Sequence, residues 1–341
     1  MLEKFDVENN DYQMKLVPKR KESGYLDPHA EAELKNGIPQ TDNDDSKIDL
    51  TALRESMGYK NAKHEQVHEL MIKNKIINGV KVREFVQKSC SNKVLPTLLF
   101  VHGGGFIGGS VDNVELPCEA LADFGEVRVI SVEYGLAPEH PFPQGLIDVY
   151  QVVSYIGHNK KENQTSTITV MGDSAGGNLT YAVSLLDRQM GTNIIDKAVA
   201  LYPVTYQGKD PSRRKQFDDP DNFKIKENQA LVKNFIKGFN GSQSMIDNFY
   251  IQKTNPESIY VSPLNADENL LKKMPKTLFM IGEFDPLRFQ GEAFYQKMKL
   301  AGGDIQYIRY NGMIHAFMDK VGDFPQADDA LLEAIKFVLN E

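Results

Sequence analysis

Between Val170 and Leu186 the chain reads VMGDSAGGNLTYAVSLL, which sets Ser174 between Gly172-Asp173 and Ala175-Gly176. A serine hydroxyl is a weak nucleophile unless a turn exposes it and a base takes its proton. The G-x-S-x-G spacing supplies such a turn. The serine sits in strained backbone, and side chains at the flanking glycines would collide with it. A helix opening just after the serine would aim free N–H groups at it and favour an anion there. The spacing alone is common in loops, and its weight comes from the apolar run before it and the helical pattern after it.

A second stretch, FVHGGGFIGGS, follows another apolar run that ends at Val101. His102-Gly103-Gly104-Gly105 leaves backbone N–H groups uncovered by side chains, able to form an oxyanion hole together with the N–H of Ala175. A phosphate cradle is the rival reading, but a P-loop ends in Gly-Lys-Ser/Thr and no lysine follows here. A plain glycine turn is the other alternative.

The nucleophile needs a base, and the base an orienting acid. Of the seven histidines, His29, His64, His68 and His158 read as surface residues, and His140 as a loop residue among prolines. His102 belongs to the glycine loop. His315, in YNGMIHAFMDK, follows the last predicted strand, where the chain order Ser, Asp, His puts the base. For the acid, Asp285 in GEFDPLR follows a strand end, where open α/β sheets build their sites. Glu283 is the runner-up. Asp173 reads as a hydrogen-bonding partner of the elbow, not as the triad acid.

The elements that must position these residues are legible as short apolar or β-branched runs. Strands are predicted at Gly79–Val86, Thr97–Val101, Val127–Tyr134, Ser166–Met171, Lys197–Tyr202, Lys276–Ile281 and Ile305–Tyr310. Helical patterns follow Pro143 and Gly177, end at Gly302, and close the chain. Strand alternating with helix predicts an α/β class with a mostly parallel sheet flanked by helices. Two segments fall outside the alternation. The first 75 or so residues read as helical or irregular, with Asn36–Lys47 a loop between two short helices. The polar stretch Tyr206–Ser258 carries one amphipathic helix near Leu231–Phe239, and an insertion of that length usually forms a lid.

The 341 residues are 41% hydrophobic and 25% charged, an ordinary globular mix. A net charge of -8 leaves no basic surplus for nucleic acid. No apolar run is long enough for a membrane span, and MLEKFDVENN lacks the apolar core of a secretory signal. Cys90 and Cys118 form neither a disulfide framework nor a metal-ligand spacing, so reduced thiols and a cytoplasmic location are expected.

HGGGF, EYGLAPEHPFP, GDSAGGN, YPV, FDPLR and GMIHAF occur here in the order found in the hormone-sensitive-lipase-like carboxylesterases, and the chain resembles that group from Pro96 to Phe317. The resemblance implies an α/β-hydrolase fold with Ser174 as nucleophile, His315 as base and Asp285 as acid. It implies an oxyanion hole from the N–H groups of Gly104, Gly105 and Ala175. It divides the chain into a core of 56–205 and 259–341, with a helical cap from 1–55 and 206–258. The implied activity is hydrolysis of short-to-medium acyl esters of small molecules, with no cofactor and no metal. Amide hydrolysis or deacetylation on the same triad is the alternative, and a non-catalytic receptor a weaker one. Relatives of this kind often form homodimers through the last strand. Three positions depart from the group's pattern: Gly135 stands for a common Arg, Phe289 for an acid, and Ala316 for a Gly.

Overall fold

The computed structural model describes residues 7–9, 12–37 and 49–340. Ten strands form one sheet: β1 (Val7–Asn9), β2 (Gln13–Lys15), β3 (Leu70–Ile77), β4 (Val80–Gln87), β5 (Leu95–Val101), β6 (Arg128–Glu133), β7 (Thr165–Asp173), β8 (Lys197–Leu201), β9 (Lys276–Gly282) and β10 (Ile305–Tyr310). Their spatial order is β1-β2-β10-β9-β8-β7-β5-β6-β4-β3. From β6 through β5, β7, β8 and β9 to β10 and β2 every pair is parallel, and the two end pairs, β1 with β2 and β3 with β4, are antiparallel, as is β4 with β6.

The parallel strands are apolar on both faces because helices cover both. In β5 successive side chains alternate across the pleat. Leu98 and Phe100 join a core with Leu121 and Leu331, while Leu99 and Val101 join the opposite one with Val149 and Leu179. All four strand residues are fully buried, each worth about 1.5–3 kcal/mol of apolar burial. Helices α3 (Glu115–Phe124) and α11 (Pro325–Leu339) pack together on the first face, α4 (Gln144–His158) and α5 (Ala175–Gln189) on the second.

All seven predicted strands form, as β4 to β10. The N-terminal region, expected to be helical or irregular, also contributes strands β1, β2 and β3. The hairpin of β1 and β2 pairs with β10 through β2, so Val7–Asn9 and Gln13–Lys15 extend the central sheet. Short helices do flank the predicted loop, α1 (Pro28–Asn36) and α2 (Leu50–Ser56). Each is capped by an aspartate, Asp27 or Asp49, that accepts from N–H groups of the first turn. Residues 38–48 of that loop lie outside the described residues.

The insertion after β8 folds as α6 (Pro211–Asp218), α7 (Gln229–Asn240), the single turn α8 (Gln243–Met245) and a π-helical turn Ile246–Ile251. α7 buries Val232 and Ile236 and packs on α1, so the N-terminal segment and the insertion meet. The chain then returns through α9 (Glu268–Lys272) and α10 (Arg288–Leu300) to the sheet.

Candidate active site

β7 runs two residues past its predicted end to Asp173, and α5 begins at Ala175. Ser174 alone makes the reversal, with φ 52° and ψ -115°, a region costly for a residue with a Cβ. Backbone bonds fix the turn: Ser174 N–H donates to Leu201 O at 2.9 Å, and Ser174 O accepts from Val204 N at 3.3 Å. Side chains at Gly172 and Gly176 have no room, since a Cβ on Gly176 would meet the Val101 carbonyl and one on Gly172 the Gly176 carbonyl.

Three predicted residues from three separated parts of the chain come into contact. Ser174 Oγ lies 2.9 Å from His315 Nε2, and His315 Nδ1 lies 2.8 Å from Asp285 Oδ2. Asp285 is fully buried on the loop after β9, and its other oxygen accepts from Leu287 N–H at 2.8 Å. His315 sits on the loop after β10, between the rings of Tyr202 and Phe239 at centroid distances of 4.8 and 4.7 Å. Phe239 comes from α7, so the insertion reaches the imidazole. Glu283, the alternative acid, takes no part. Its two oxygens accept from Gly24 N–H at 2.8 Å and Gly312 N–H at 3.0 Å, tying the N-terminal segment to the loop that carries His315.

The glycine loop lines the same cavity as Ser174 and His315. Asp173 holds it in place by accepting from Gly103 N–H at 2.8 Å. Tyr134 adds a hydroxyl bond to His102 O at 2.9 Å, and its ring stacks on the His102 imidazole at 4.3 Å. His102 Nδ1 donates to Gly103 O. Burial pushes the His102 imidazole down to about 4, so it is neutral at ordinary pH. Gly104 and Gly105 both have positive φ, 117° and 62°, which glycine alone adopts freely.

Sequence reading missed what braces this loop from outside. Arg54 of α2 donates to Ile107 O at 2.8 Å and to Ala137 O at 3.0 Å, and its guanidinium pairs with both oxygens of Glu139. That pairing holds the Glu139 carboxyl down at about 2. No local pattern marks Arg54, since its partners lie 53 to 85 residues away. Nor did the sequence mark Asp319, which lines the cavity four residues beyond His315. The cavity measures about 310 Å³, near the lower end of the ~300–1,000 Å³ typical of small-molecule sites.

Of the histidines expected at the surface, His29, His68 and His158 are exposed, as is His140. His64 is not: its side chain is only 8% exposed, because Asp123 draws it inward. The three departures from the group's pattern also have local accounts. Asp148 accepts from Gly135 N–H and the Gln144 amide. Phe289 packs edge-on against Phe223 at 4.7 Å. Ala316 stands at φ 59°, a left-handed conformation that favours glycine.

A family model described as the α/β hydrolase fold matches residues 98–319. An esterase of Gibberella moniliformis is 30% identical over 264 residues, 75% of this chain and 78% of the relative. Carboxylesterase NlhH of Mycobacterium tuberculosis is 29% identical over 252 residues, 72% of this chain and 75% of the relative. Among solved structures, a hyperthermophilic esterase from Pyrobaculum calidifontis superposes with a TM-score of 0.76 at 25% identity, covering 93% of this chain and 98% of the other. The chain belongs to the α/β-hydrolase family, in the carboxylesterase group that resembles hormone-sensitive lipase.

Proposed function

We propose that this carboxylic ester hydrolase works through Ser174, His315 and Asp285, and that it cleaves short-to-medium acyl esters by way of an acyl-enzyme. The reading rests on one observation, the unbroken relay from Ser174 Oγ through His315 to Asp285 at 2.9 and 2.8 Å on the wall of a cavity. His315 takes the Ser174 proton as the oxygen attacks the ester carbonyl. The imidazolium formed is stabilised by Asp285, which also holds the ring in place. The carbonyl oxygen, now an anion, is received by the N–H groups of Gly104, Gly105 and Ala175. His315 returns the proton to the departing alcohol. Water, deprotonated by the same imidazole, then releases the acid. Helices α1 and α2 together with residues 206–258 act as the cap that closes the site, while β1 and β2 belong to the sheet; α7 contributes Phe239 beside the imidazole. Cys90 and Cys118 are both buried and unbridged, which fits a reducing compartment such as the cytoplasm. Among the described residues no helix is long and apolar enough to cross a membrane.

Initial rates on p-nitrophenyl acetate, butyrate, octanoate and laurate test this, with Ser174→Ala alongside. The expected result is a maximum at the shorter chains and a loss of about 10⁶ in turnover for the variant. A folded Ser174→Ala protein that still cleaves these esters would remove the assignment of the nucleophile.

A further inference from the structure

We infer that Asp319 makes this cavity selective for esters that carry a quaternary or tertiary ammonium group. The inference rests on the esterase reading above and names the substrate class of that same site.

Asp319 lies on the 3-10 turn Phe317–Lys320 and lines the cavity with Ser174 and His315. It is half-buried. Its neighbour Lys320 points elsewhere, pairing with Glu33 at 2.9 Å and lying over the Tyr59 ring. Among the described residues no hydrogen bond or ion pair reaches the Asp319 carboxylate, in contrast with the other two acids of the cavity. Asp173 accepts from Gly103 N–H, and Asp218 lies 3.5 Å from Arg214. Arg214 is the one guanidinium in the lining, and it is engaged by Asp218 and by the Gly208 carbonyl at 2.8 Å. Asp319 is therefore the one acid of the lining with no hydrogen-bond or ion-pair partner among the described residues.

A carboxylate on a cavity wall with no bonded partner is open to a ligand, and in a half-buried setting it attracts a cation more strongly than it would in bulk water. Burial raises the Asp319 carboxyl to about 6, with Lys320 and His315 restraining the rise, so it is ionised in mildly alkaline solution. A bound cation would take the place of the missing partner. Phe239 adds an aromatic ring to the same lining, a second group that attracts ammonium ions. Val204 and Leu287 offer apolar surface to N-methyl groups.

Matched ester pairs test this at mildly alkaline pH. Butyrylthiocholine is compared with its carbon isostere, in which a quaternary carbon replaces the ammonium nitrogen. The p-nitrophenyl ester of γ-trimethylammoniobutyrate is compared with its own carbon isostere. The first pair places the charge in the leaving group and the second in the acyl part, and p-nitrophenyl butyrate is the neutral control. In at least one pair kcat/KM favours the cationic member by about tenfold. That ratio falls toward one in Asp319→Asn and is retained in Asp319→Glu. A purely structural role would lower both members equally and leave the ratio unchanged. Where Asp319→Asn does not fold, Asp319→Ser carries the same comparison. Turnover of p-nitrophenyl butyrate with a ratio at or below one in both pairs overturns the inference and leaves the esterase reading intact, as does a preference that persists without the carboxylate. No turnover of any ester by folded protein overturns the esterase reading itself.

Discussion

At the scale of single residues, the parts of the site that a sequence can show are those set by adjacent positions. Ser174 between its glycines and the run His102–Gly105 are local patterns, and chain order picked out His315 and Asp285. Arg54, Phe239 and Asp319 reach the site from α2, α7 and the turn after His315 by tertiary packing, and nothing in their own neighbourhoods marks them. The glycine loop offers a controlled comparison. At Gly104 an added Cβ would strike the Gly108 carbonyl, whereas at Gly105 there is open space. Both have positive φ. Gly105→Ala therefore meets only the strain of a left-handed residue, about 1–2 kcal/mol, and its loss of kcat reports the geometry of the loop. Gly104→Ala also has to displace backbone, so it loses more stability and essentially all ester turnover. Urea melts and p-nitrophenyl butyrate rates on the two variants separate the effects. Equal stability for both would show that the Gly108 contact relaxes freely.

At the scale of elements, burial decided what could be read. β5 to β9 are covered on both faces and show as apolar runs, and β4 and β10 alternate. β3 was missed because the apolar face of Leu70, Ile72 and Ile76 is interrupted by Asn74 and the other face carries Lys73 and Lys75, and Ile72–Ile76 are all exposed. α6 was missed for the same reason, since Phe217 is its only buried residue. What holds the approach to β3 is a charge. Asp123, in the last turn of α3 and 3% exposed, accepts from Val67 N–H and His68 N–H, both at 2.8 Å, and bonds the imidazoles of His64 and His68. Burial alone would raise its carboxyl, but these four donors outweigh it and hold the group below its ordinary 3.8. The unfolded chain then binds the proton more tightly than the folded one. Stability from Asp123 is complete above that ordinary value and is lost as pH falls through the lower folded one. Asp123→Asn is expected to cost about 1–3 kcal/mol at neutral pH, and the gap from the unaltered protein should narrow in strong acid. Urea unfolding of both proteins at neutral and strongly acid pH measures it. A gap that stays constant would mean the charge itself contributes nothing.

At the scale of the whole molecule, the sheet has two ends, and they are treated differently. β10 would present an open parallel edge if the chain began after residue 15. Instead β2 pairs along Ile308–Tyr310 in parallel, and β1 closes over β2. The hairpin is anchored from the side. Lys15 reaches Asp329 at 2.5 Å and Glu333 at 3.0 Å on α11, and Tyr12 stacks on Tyr307 at 4.5 Å. At the other end β3 exposes Ile72 and Ile76, with Lys73 and Lys75 beside them, and lysines on an edge discourage another strand from adding. Along Ile308–Tyr310 the β10 edge is occupied by β2, so sheet-to-sheet pairing of two copies there, the homodimer the resemblance implied, would require the hairpin to move. Removing residues 1–15 takes away the guard and frees the backbone groups of β10 to pair with a second copy. It also strands Asp329 and Glu333 without Lys15, so the shortened protein should be less stable as well as larger in solution. Light scattering on both forms at equal concentration decides the matter. A shortened protein that keeps the mass of the full chain would show that some other feature of β10, and not the hairpin, protects this edge.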